Sequence, residues 1–560
     1  MLSWWHRIAL TLVATFLLLS DDFLQQLYTT HNHAQLEASY VASMLALNLA
    51  FWCSGRRWFV MPVLFLFAVM QFFQLAHLSY IGQPLTPVDI SRLVTEWDEV
   101  SSVVDDAMRA HWPVLLVWGL PYGALAGLYW RYLPQTGVRY VGVPMLLVLA
   151  ALASKPHRAL HFDMIHFMPG PTRSSLHNSL NAFSYSLVRM RAGETVLHEQ
   201  PYVPYQRIAK ASANRPDRLW VVLGESLRAD HLGLYGYERD TTPNLTRLHR
   251  EHRLQVFSGQ SASVATGSTI PLFINGVSEP GNLPELRRKT VNLFRLAHEA
   301  GWHTFWLSAQ ESKLLSEVGV TWIDTVKTRE DAPLSFARQG DRALLDALKE
   351  LPTRTPSFGV IHTRAAHIPY EEAYARDSSF KPVWPAHGDI SDAQRRVNQY
   401  DNALRYTDQL VAELLKYAEQ LPGTTWVVIT ADHGQLLGEQ DSWGHNRLKP
   451  EVADVPMVIH VNRGRWPDLP RTPVMTHYVL HGWLARQLGW QVINPNQCDC
   501  QSWLQGNDLY GDNLLVEIRD TGPASCWAPV STLSRLKPAS CAAGACKALP
   551  HSSCIPHRLH

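Results

Sequence analysis

The chain has 560 residues, more than one core organises at about 100–200 residues per domain, so it holds at least two structural units and is not a single small binding module. Fifty Lys plus Arg stand against 49 Asp plus Glu, a formal net charge of +1 with no long run of one sign, which argues against electrostatic capture of nucleic acid. Hydrophobic residues make up 46% of the chain, but they crowd into the first 155 positions and the charges into the rest, the pattern of a membrane region fused to a soluble domain.

In chain order, five apolar segments come first: Trp4 to Leu19, Ala38 to Cys53, Trp58 to Ile81, Trp112 to Trp130 and Tyr140 to Ala153. Their lengths approach or reach the roughly 17–25 residues that cross a bilayer as helix. Ser20-Asp21-Asp22-Phe23 after the first is a poor cleavage site, so that segment reads as an uncleaved signal-anchor. Arg7, Arg56, Arg57, Arg131 and Arg139 mark cytoplasmic connections, whereas the loop 21–37 has no Lys or Arg and the loop 82–111 is rich in Asp and Glu. By the positive-inside rule, five spans that start inside finish outside. Everything after about Lys155 is then expected beyond the membrane, which in a bacterium with two membranes is the periplasm.

Six of the seven Cys, namely Cys498, Cys500, Cys526, Cys541, Cys546 and Cys554, lie in the last 63 residues. In an oxidising compartment an even set without zinc-finger spacing reads as disulfides. The expected division is a transmembrane region of five helices at 1–154, a bridging amphipathic segment at 155–217, a catalytic domain at 218–525 and a Cys-rich tail at 526–560. In the bridge, Leu176 to Met190 repeats apolar residues every three or four positions, suited either to a membrane surface or to packing on the soluble domain.

After Arg218 short apolar runs alternate with helical stretches. The predicted strands are Leu219 to Leu223, Thr304 to Leu307, Phe358 to Ile361, Trp426 to Ile429 and Met457 to Val461; the predicted helices are Asn244 to His252, Val291 to Ala300, Asp341 to Leu351 and Ala393 to Glu419. This alternation predicts an α/β domain with a mainly parallel central sheet covered on both faces. Such sheets bind ligands beyond the carboxyl ends of their strands.

The residues at those ends form a chemical set. Glu225 follows the first run, Asp432 and His433 follow the fourth, His362 and His367 follow the third, and His445 lies 13 residues after Asp432. Carboxylates and imidazoles together suit a divalent cation, zinc foremost, with extra histidines for a second. A nucleophile comes from the hydroxyl-rich stretch Ser258 to Pro271, where composition leaves Ser261, Ser263, Thr266, Ser268 and Thr269 all open; its small residues permit close backbone approach to a ligand.

The run Gly224-Glu-Ser-Leu-Arg-Ala-Asp230, continued by Gly236-Tyr-Glu-Arg-Asp240-Thr-Thr-Pro243, resembles the signature of the membrane-bound phosphoethanolamine transferases. Members of that family modify lipid A, the lipopolysaccharide core or periplasmic glucans. The resemblance implies five membrane spans, a bridging segment and an alkaline-phosphatase/sulfatase-like α/β/α sandwich in the periplasm, anchored in the bacterial inner membrane. It implies that Glu225, Thr266, Asp432 and His433 hold zinc, and that Thr266, five residues before Pro271, is the nucleophile. His367 and His445 match histidines that bind a second zinc or the phosphoryl group and serve in catalysis, and Thr95 and Glu99 match residues that contact the donor head group. Trp306 to Gln310 stands where relatives carry an Asn, so Ser308 and Gln310 receive no role. The implied reaction moves phosphoethanolamine from phosphatidylethanolamine, a membrane lipid, to a glycolipid or glucan acceptor through a phosphothreonine. A phosphoglycerol transferase, a phosphodiesterase or sulfatase of the same superfamily, and a non-catalytic membrane scaffold are the competing readings.

Overall fold

The computed structural model describes residues 4–23, 37–81, 84–87, 89–90, 119–133, 142–160, 167, 169, 173–190, 202–210, 215–310, 315–352, 356–497, 501–506, 515–520, 524–530 and 553–556. The chain divides into two compact units, one formed by residues 1–196 with 438–443 and the other by 197–437 with 444–560.

The first unit is helical: α1 (Trp4–Leu18), α2 (Ala38–Ser54), α3 (Arg57–Ile81), α4 (119–132), α5 (Gly142–Ala159) and α6 (Ser175–Tyr185). All five expected spans are thus helical where described. Among the described residues one helix, Arg57–Ser79, with 23 residues and a mean hydropathy of 2.0, is long and apolar enough to cross a membrane; Ile8–Leu18 and Ala38–Ser54 are shorter. Residues 112–118 of the fourth segment lie outside the described residues. Leu18, Phe51, Val60, Phe67, Leu125 and Val148 pack together in the core. Polar side chains buried among them find one another, as an apolar surrounding requires. Asn48 Nδ2 donates to Thr15 Oγ1 at 3.2 Å, and Tyr129 Oη donates to Asn48 Oδ1 at 2.6 Å. The expected boundary at 154/155 falls inside α5, because Lys155-Pro156 does not end that helix. The stretch predicted from Leu176 to Met190 forms α6 and a following π turn. It buries Leu176, Asn178, Ser179, Ala182 and Tyr185, and the hydroxyls of Ser175 and Ser179 donate to Gln71 Oε1 of α3 at 3.2 and 2.8 Å.

The second unit is α/β. Its strands are β1 (Gln206–Ala209), β2 (Arg218–Gly224), β3 (Leu254–Gln260), β4 (His303–Ser308), β5 (Thr325–Lys327), β6 (Ser357–His362), β7 (Thr425–Ala431), β8 (Asp454–Val461), β9 (Met475–Thr476), β10 (Trp490–Ile493), β11 (Gln501–Leu504), β12 (Leu515–Asp520), β13 (Ala524–Val530) and β14 (Ser553–Pro556). Eight form the central sheet in the order β9-β3-β8-β7-β2-β6-β4-β5. Neighbours are parallel except where β8 runs antiparallel to β3 and β7. Every residue of β2, β6 and β7 is buried, so both faces are covered, which is why these strands read as unbroken apolar runs. The helices that matter below are α7 (Pro243–Arg250), α8 (Thr266–Asn275), α9 (Leu293–Glu299), α10 (Ala343–Lys349), α11 (Asp392–Gln420) and α12 (His477–Gln487).

A second sheet, β11-β12-β13-β14, is antiparallel. The expected start of a tail at 526 therefore falls inside β13, where Cys526 pairs in register with Cys554 of β14; Cys498, Cys500, Cys541 and Cys546 lie outside the described residues.

Phe294 of α9 is fully buried, with ring centroids 5.3 Å from Phe358 of β6 and 6.1 Å from Trp306 of β4. Phe294→Ala opens a cavity there, and a loss of about 3–5 kcal/mol is expected, read as a lowered melting temperature of the full chain.

Candidate active site

Register brings the strand ends into a row. Gly224 lies opposite Ala431, Leu223 opposite His362, and Ser308 opposite His362. With neighbouring strands about 4.8 Å apart, the residues at the carboxyl ends of β7, β2, β6 and β4 stand side by side. These are Asp432 and His433, then Glu225, then His362, then Gln310.

Thr266, the first residue of α8, faces this row. Its Oγ1 lies 2.6 Å from Asp432 Oδ2, 3.2 Å from Glu225 Oε2 and 3.3 Å from His433 Nε2. Of the five candidate hydroxyls, this is the one that lies against the acids. Ser261 Oγ donates to Ser263 O, Ser263 Oγ lies 2.5 Å from Ser268 Oγ, and Ser268 Oγ also donates to Ala265 O. Thr269 Oγ1 is buried without a hydrogen-bond partner. Thr266 also opens a ten-residue helix, whose amino end favours negative charge beside it.

The acids are fixed by an elbow at Ser226, a non-glycine residue at φ 56°. Its N–H donates to Asp432 Oδ1 at 3.0 Å and its hydroxyl to Glu225 Oε1 at 2.7 Å. Tyr400 of α11, fully buried, clamps the elbow by donating to Ser226 O at 2.6 Å and accepting from Arg228 N at 2.9 Å. Such strain persists only where surroundings enforce it. Asp432 Oδ1 also accepts from His433 N, leaving Oδ2 for the threonine.

Glu225, Asp432 and His433 are completely buried. Burial, and then the charge of Glu225, push the Asp432 carboxyl well above the usual carboxylate range. Burial pushes Glu225 up as well, but the imidazoles of His433, His367, His445 and His362 outweigh it and hold that carboxyl far below its usual range. Two dry carboxylates sharing one hydroxyl need positive charge between them. The His433 Nε2 lies 3.5 Å from Glu225 Oε1 and 3.4 Å from Asp432 Oδ2, so two carboxylates, an imidazole nitrogen and a hydroxyl oxygen form a donor set that suits zinc. Donor atoms of Glu225, His362 and Asp432 also fall within 4.8 Å of one another.

Of the other predicted site residues, His445 lies beside His433, ring centroids 4.3 Å apart, and His367 lies 6.5 Å from His445. Thr95 and Glu99 are outside the described residues. Two contributors went unassigned in the sequence. Gln310 Nε2 donates to Glu225 Oε2 at 2.6 Å and lies 3.2 Å from His362 Nε2; the available signal was its place just past β4. Asp401 of α11 anchors the signature run by accepting from Tyr237 Oη at 3.1 Å and Arg239 at 2.7 Å, with His231 Nδ1 3.1 Å away.

Residues 218–486 match the Sulfatase family. In sequence the chain is similar to the Kdo(2)-lipid A phosphoethanolamine 7''-transferase of Salmonella typhimurium, 27% identical over 250 residues that make 42% of this chain and 43% of that protein. It is similar also to the phosphoethanolamine transferase EptC of Escherichia coli K12, 26% identical over 305 residues, 52% of this chain and 49% of that one. The chain spans about half the length of these curated relatives. In fold it is similar to the integral membrane protein lipooligosaccharide phosphoethanolamine transferase A (EptA) from Neisseria meningitidis, with a TM-score of 0.54 and 18% identity over 85% of this chain and 95% of that one. The matched stretch holds the strand ends and the row of acids and imidazoles described above, and phosphoethanolamine transferases are among the chain's sequence relatives.

Asp341 Oδ2 accepts from the N–H groups of Arg364 and Ala365 at 2.7 and 2.8 Å and so holds the loop that carries His367. Burial pushes its carboxyl up from 3.8 to about 6 against those bonds. The folded chain therefore keeps a proton that the unfolded chain releases, and the stability this contributes, full below pH 3.8, is lost as pH rises through about 6. Asp341→Asn keeps an acceptor and removes the ionisation. The variant should gain on the parent between about pH 4 and 6.5, by up to about 2–3 kcal/mol, and melting curves across that range read the difference.

Proposed function

We propose that this chain transfers phosphoethanolamine from phosphatidylethanolamine to a glycolipid or glucan acceptor of the cell envelope, through a phosphothreonine at Thr266. The observation that carries this reading is the single hydroxyl set between Asp432 Oδ2 at 2.6 Å and Glu225 Oε2 at 3.2 Å at the start of a helix. The phosphoethanolamine transferase activities of the sequence relatives supply the transferred group.

Glu225, Thr266, Asp432 and His433 would hold a zinc ion, with His367 and His445 available to a second, and the ion would supply Lewis acidity that favours the threonine alkoxide and offsets phosphoryl charge. In the first half-reaction Thr266 Oγ1 gives up its proton towards Asp432 Oδ2 and bonds to phosphorus. The bond from phosphorus to the diacylglycerol oxygen breaks, and that oxygen takes a proton from the side of His367 and His445. In the second half an acceptor hydroxyl loses its proton to the same imidazoles and bonds to phosphorus, while Thr266 leaves and recovers its proton. The amino end of α8 favours the phosphoryl charge throughout.

The five-span topology and an inner-membrane location with the catalytic unit in the periplasm belong to this reading, with Thr95 and Glu99 assigned to the donor head group. Exposed Trp5, Phe65 and Leu146 on the helical unit support a lipid surrounding. Fixing the enzyme in the bilayer also raises the effective concentration of a lipid donor. Hydrolysis of a sulfate ester is the weaker reading: the two runs of the form Cys/Ser-x-Pro-x-Arg, Ser154 to Arg158 and Cys554 to Arg558, begin in α5 and β14, whereas the hydroxyl beside Asp432 and Glu225 is that of Thr266.

Intact-mass measurement after exposure to phosphatidylethanolamine vesicles tests the proposal. A phosphoethanolamine-sized adduct is expected on the parent and not on Thr266→Ala, together with a fall of about 10³-fold or more in diacylglycerol release. Diacylglycerol release without any adduct would favour hydrolysis. A chelator should abolish the adduct, and added zinc should restore it and raise the melting temperature in the parent but not in Glu225→Gln.

A further inference from the structure

A cleft of about 120 Å³ lies in the second unit between the end of β3, the turn at Ser278, the start of α12 and strand β11. Its volume approaches the roughly 150 Å³ that takes a benzene ring, the scale of one six-membered ring. Its chemistry is unlike that of the zinc-type site. None of its seventeen lining residues is Lys, Arg, Asp or Glu. The one ionisable imidazole there, His477, is pushed down to about 3 by burial and is neutral; it is fixed by Ala262 N at 3.3 Å and Thr430 Oγ1 at 3.2 Å and stacks on Phe273.

What remains is amide, hydroxyl, aromatic and aliphatic surface, including Gln260, Ser261, Gln501, Gln505, Trp503 and Tyr478. Gln505 is only 2% exposed, and its Oε1 is buried with no hydrogen-bond partner. Its backbone is already engaged, since Gln505 N donates to Ala262 O at 3.0 Å, so the side chain alone faces the cleft with an unmet need. An orphan acceptor of this kind calls for a donor. A phosphate, whose oxygens chiefly accept at neutral pH, does not meet that need, whereas a sugar hydroxyl does. The amino end of α12 also opens here, but its Thr476 Oγ1 already accepts from Val479 N at 3.2 Å, so the chain caps the helix itself.

We propose that this cleft binds a neutral pyranose unit, with a hydroxyl of the sugar donating to Gln505 Oε1 and the ring lying against Trp503 or Tyr478. As a subsite for the acceptor it rests on the transfer reading above, and it favours an acceptor whose recognised part is an uncharged sugar over one recognised through phosphate. The position supports that role. The strand end that carries Gln505 is bonded to the nucleophile loop, with Ser263 Oγ donating to Gly506 O at 2.7 Å and Ser268 Oγ to the same oxygen at 3.2 Å.

The test is saturation-transfer NMR on the full chain in detergent, with methyl α-D-glucopyranoside and methyl α-D-mannopyranoside as neutral probes and glucose 1-phosphate as the anionic one. Binding of at least one neutral probe is expected, weakened about tenfold or more by Gln505→Leu and by Trp503→Ala. Melting curves check that each variant is folded; Ser278→Phe, which fills the cleft from the opposite wall, replaces any variant that is not. No signal from either neutral probe, an undiminished signal in the folded variants, or binding of glucose 1-phosphate alone overturns the proposal. The intact-mass adduct on the parent is read separately. An adduct without sugar binding sinks this subsite alone, and sugar binding without an adduct sinks the transfer reading while the cleft stands.

Discussion

The arrangement depends on two carboxylates brought out of water within reach of one hydroxyl. Glu225 and Asp432 are both fully buried, and desolvation alone would drive their protons back on. Four imidazoles around them resist this for Glu225. A divalent cation would resolve the rest, because a set of carboxylate, imidazole and hydroxyl donors has lower free energy around positive charge than facing itself. The threonine is the member whose chemistry changes most, since a cation that satisfies the acids also favours its alkoxide. On the proposed reading, stability of the site and reactivity of Thr266 therefore have one electrostatic origin.

That geometry follows from the sheet. Parallel strands end at the same edge, so β7, β2, β6 and β4 deliver Asp432, Glu225, His362 and Gln310 in a line without any long loop. The line still needs turning inward. Ser226 does this from a left-handed conformation that Tyr400 holds by two hydrogen bonds, and the next residue of α11, Asp401, ties down the signature run beyond it. One long helix thus positions both halves of that run. Much of the signature is scaffolding: Arg239 and Tyr237 serve Asp401, and Thr241 bridges His231 O and Gly233 N at 2.7 and 2.9 Å.

The central strands were legible because burial on both faces makes them continuous apolar runs; β2, β4, β6, β7 and β8 all appear where such runs stand. β3 was not, since Leu-Gln-Val-Phe-Ser-Gly-Gln carries polar residues and leads straight into the serine-rich stretch. Thr266 was picked by its spacing to Pro271 in the family pattern, while composition left five hydroxyls equal; only three-dimensional contact separates them. His362 was visible but is one of 26 histidines, and Gln310 carries no charge to draw notice. Helix α6 misled for another reason. Its Asn178, Ser179 and Asn181 are buried, and a polar residue inside a helical bundle has the same sequence signature as one facing solvent.

On the proposed transfer reading, the donor chemistry and the choice of acceptor need different things from the chain. Displacement at phosphorus needs rigid placement to within fractions of an ångström, which strand ends and a helix start provide. Recognition of an acceptor needs shape, which loops and added elements can vary without disturbing the acids. The fold separates the two accordingly. The match to the Sulfatase family ends at residue 486, and the strand that closes the uncharged cleft begins at Gln501. Yet Gln505 pairs with Ser263 in a parallel bridge, and Gly506 O takes the hydroxyls of Ser263 and Ser268 on either side of Thr266. A ligand that orders β11 would therefore order the loop presenting Thr266, and on the proposed transfer reading that is a physical route by which an occupied cleft would favour the second half-reaction over loss of the phosphoryl group to water.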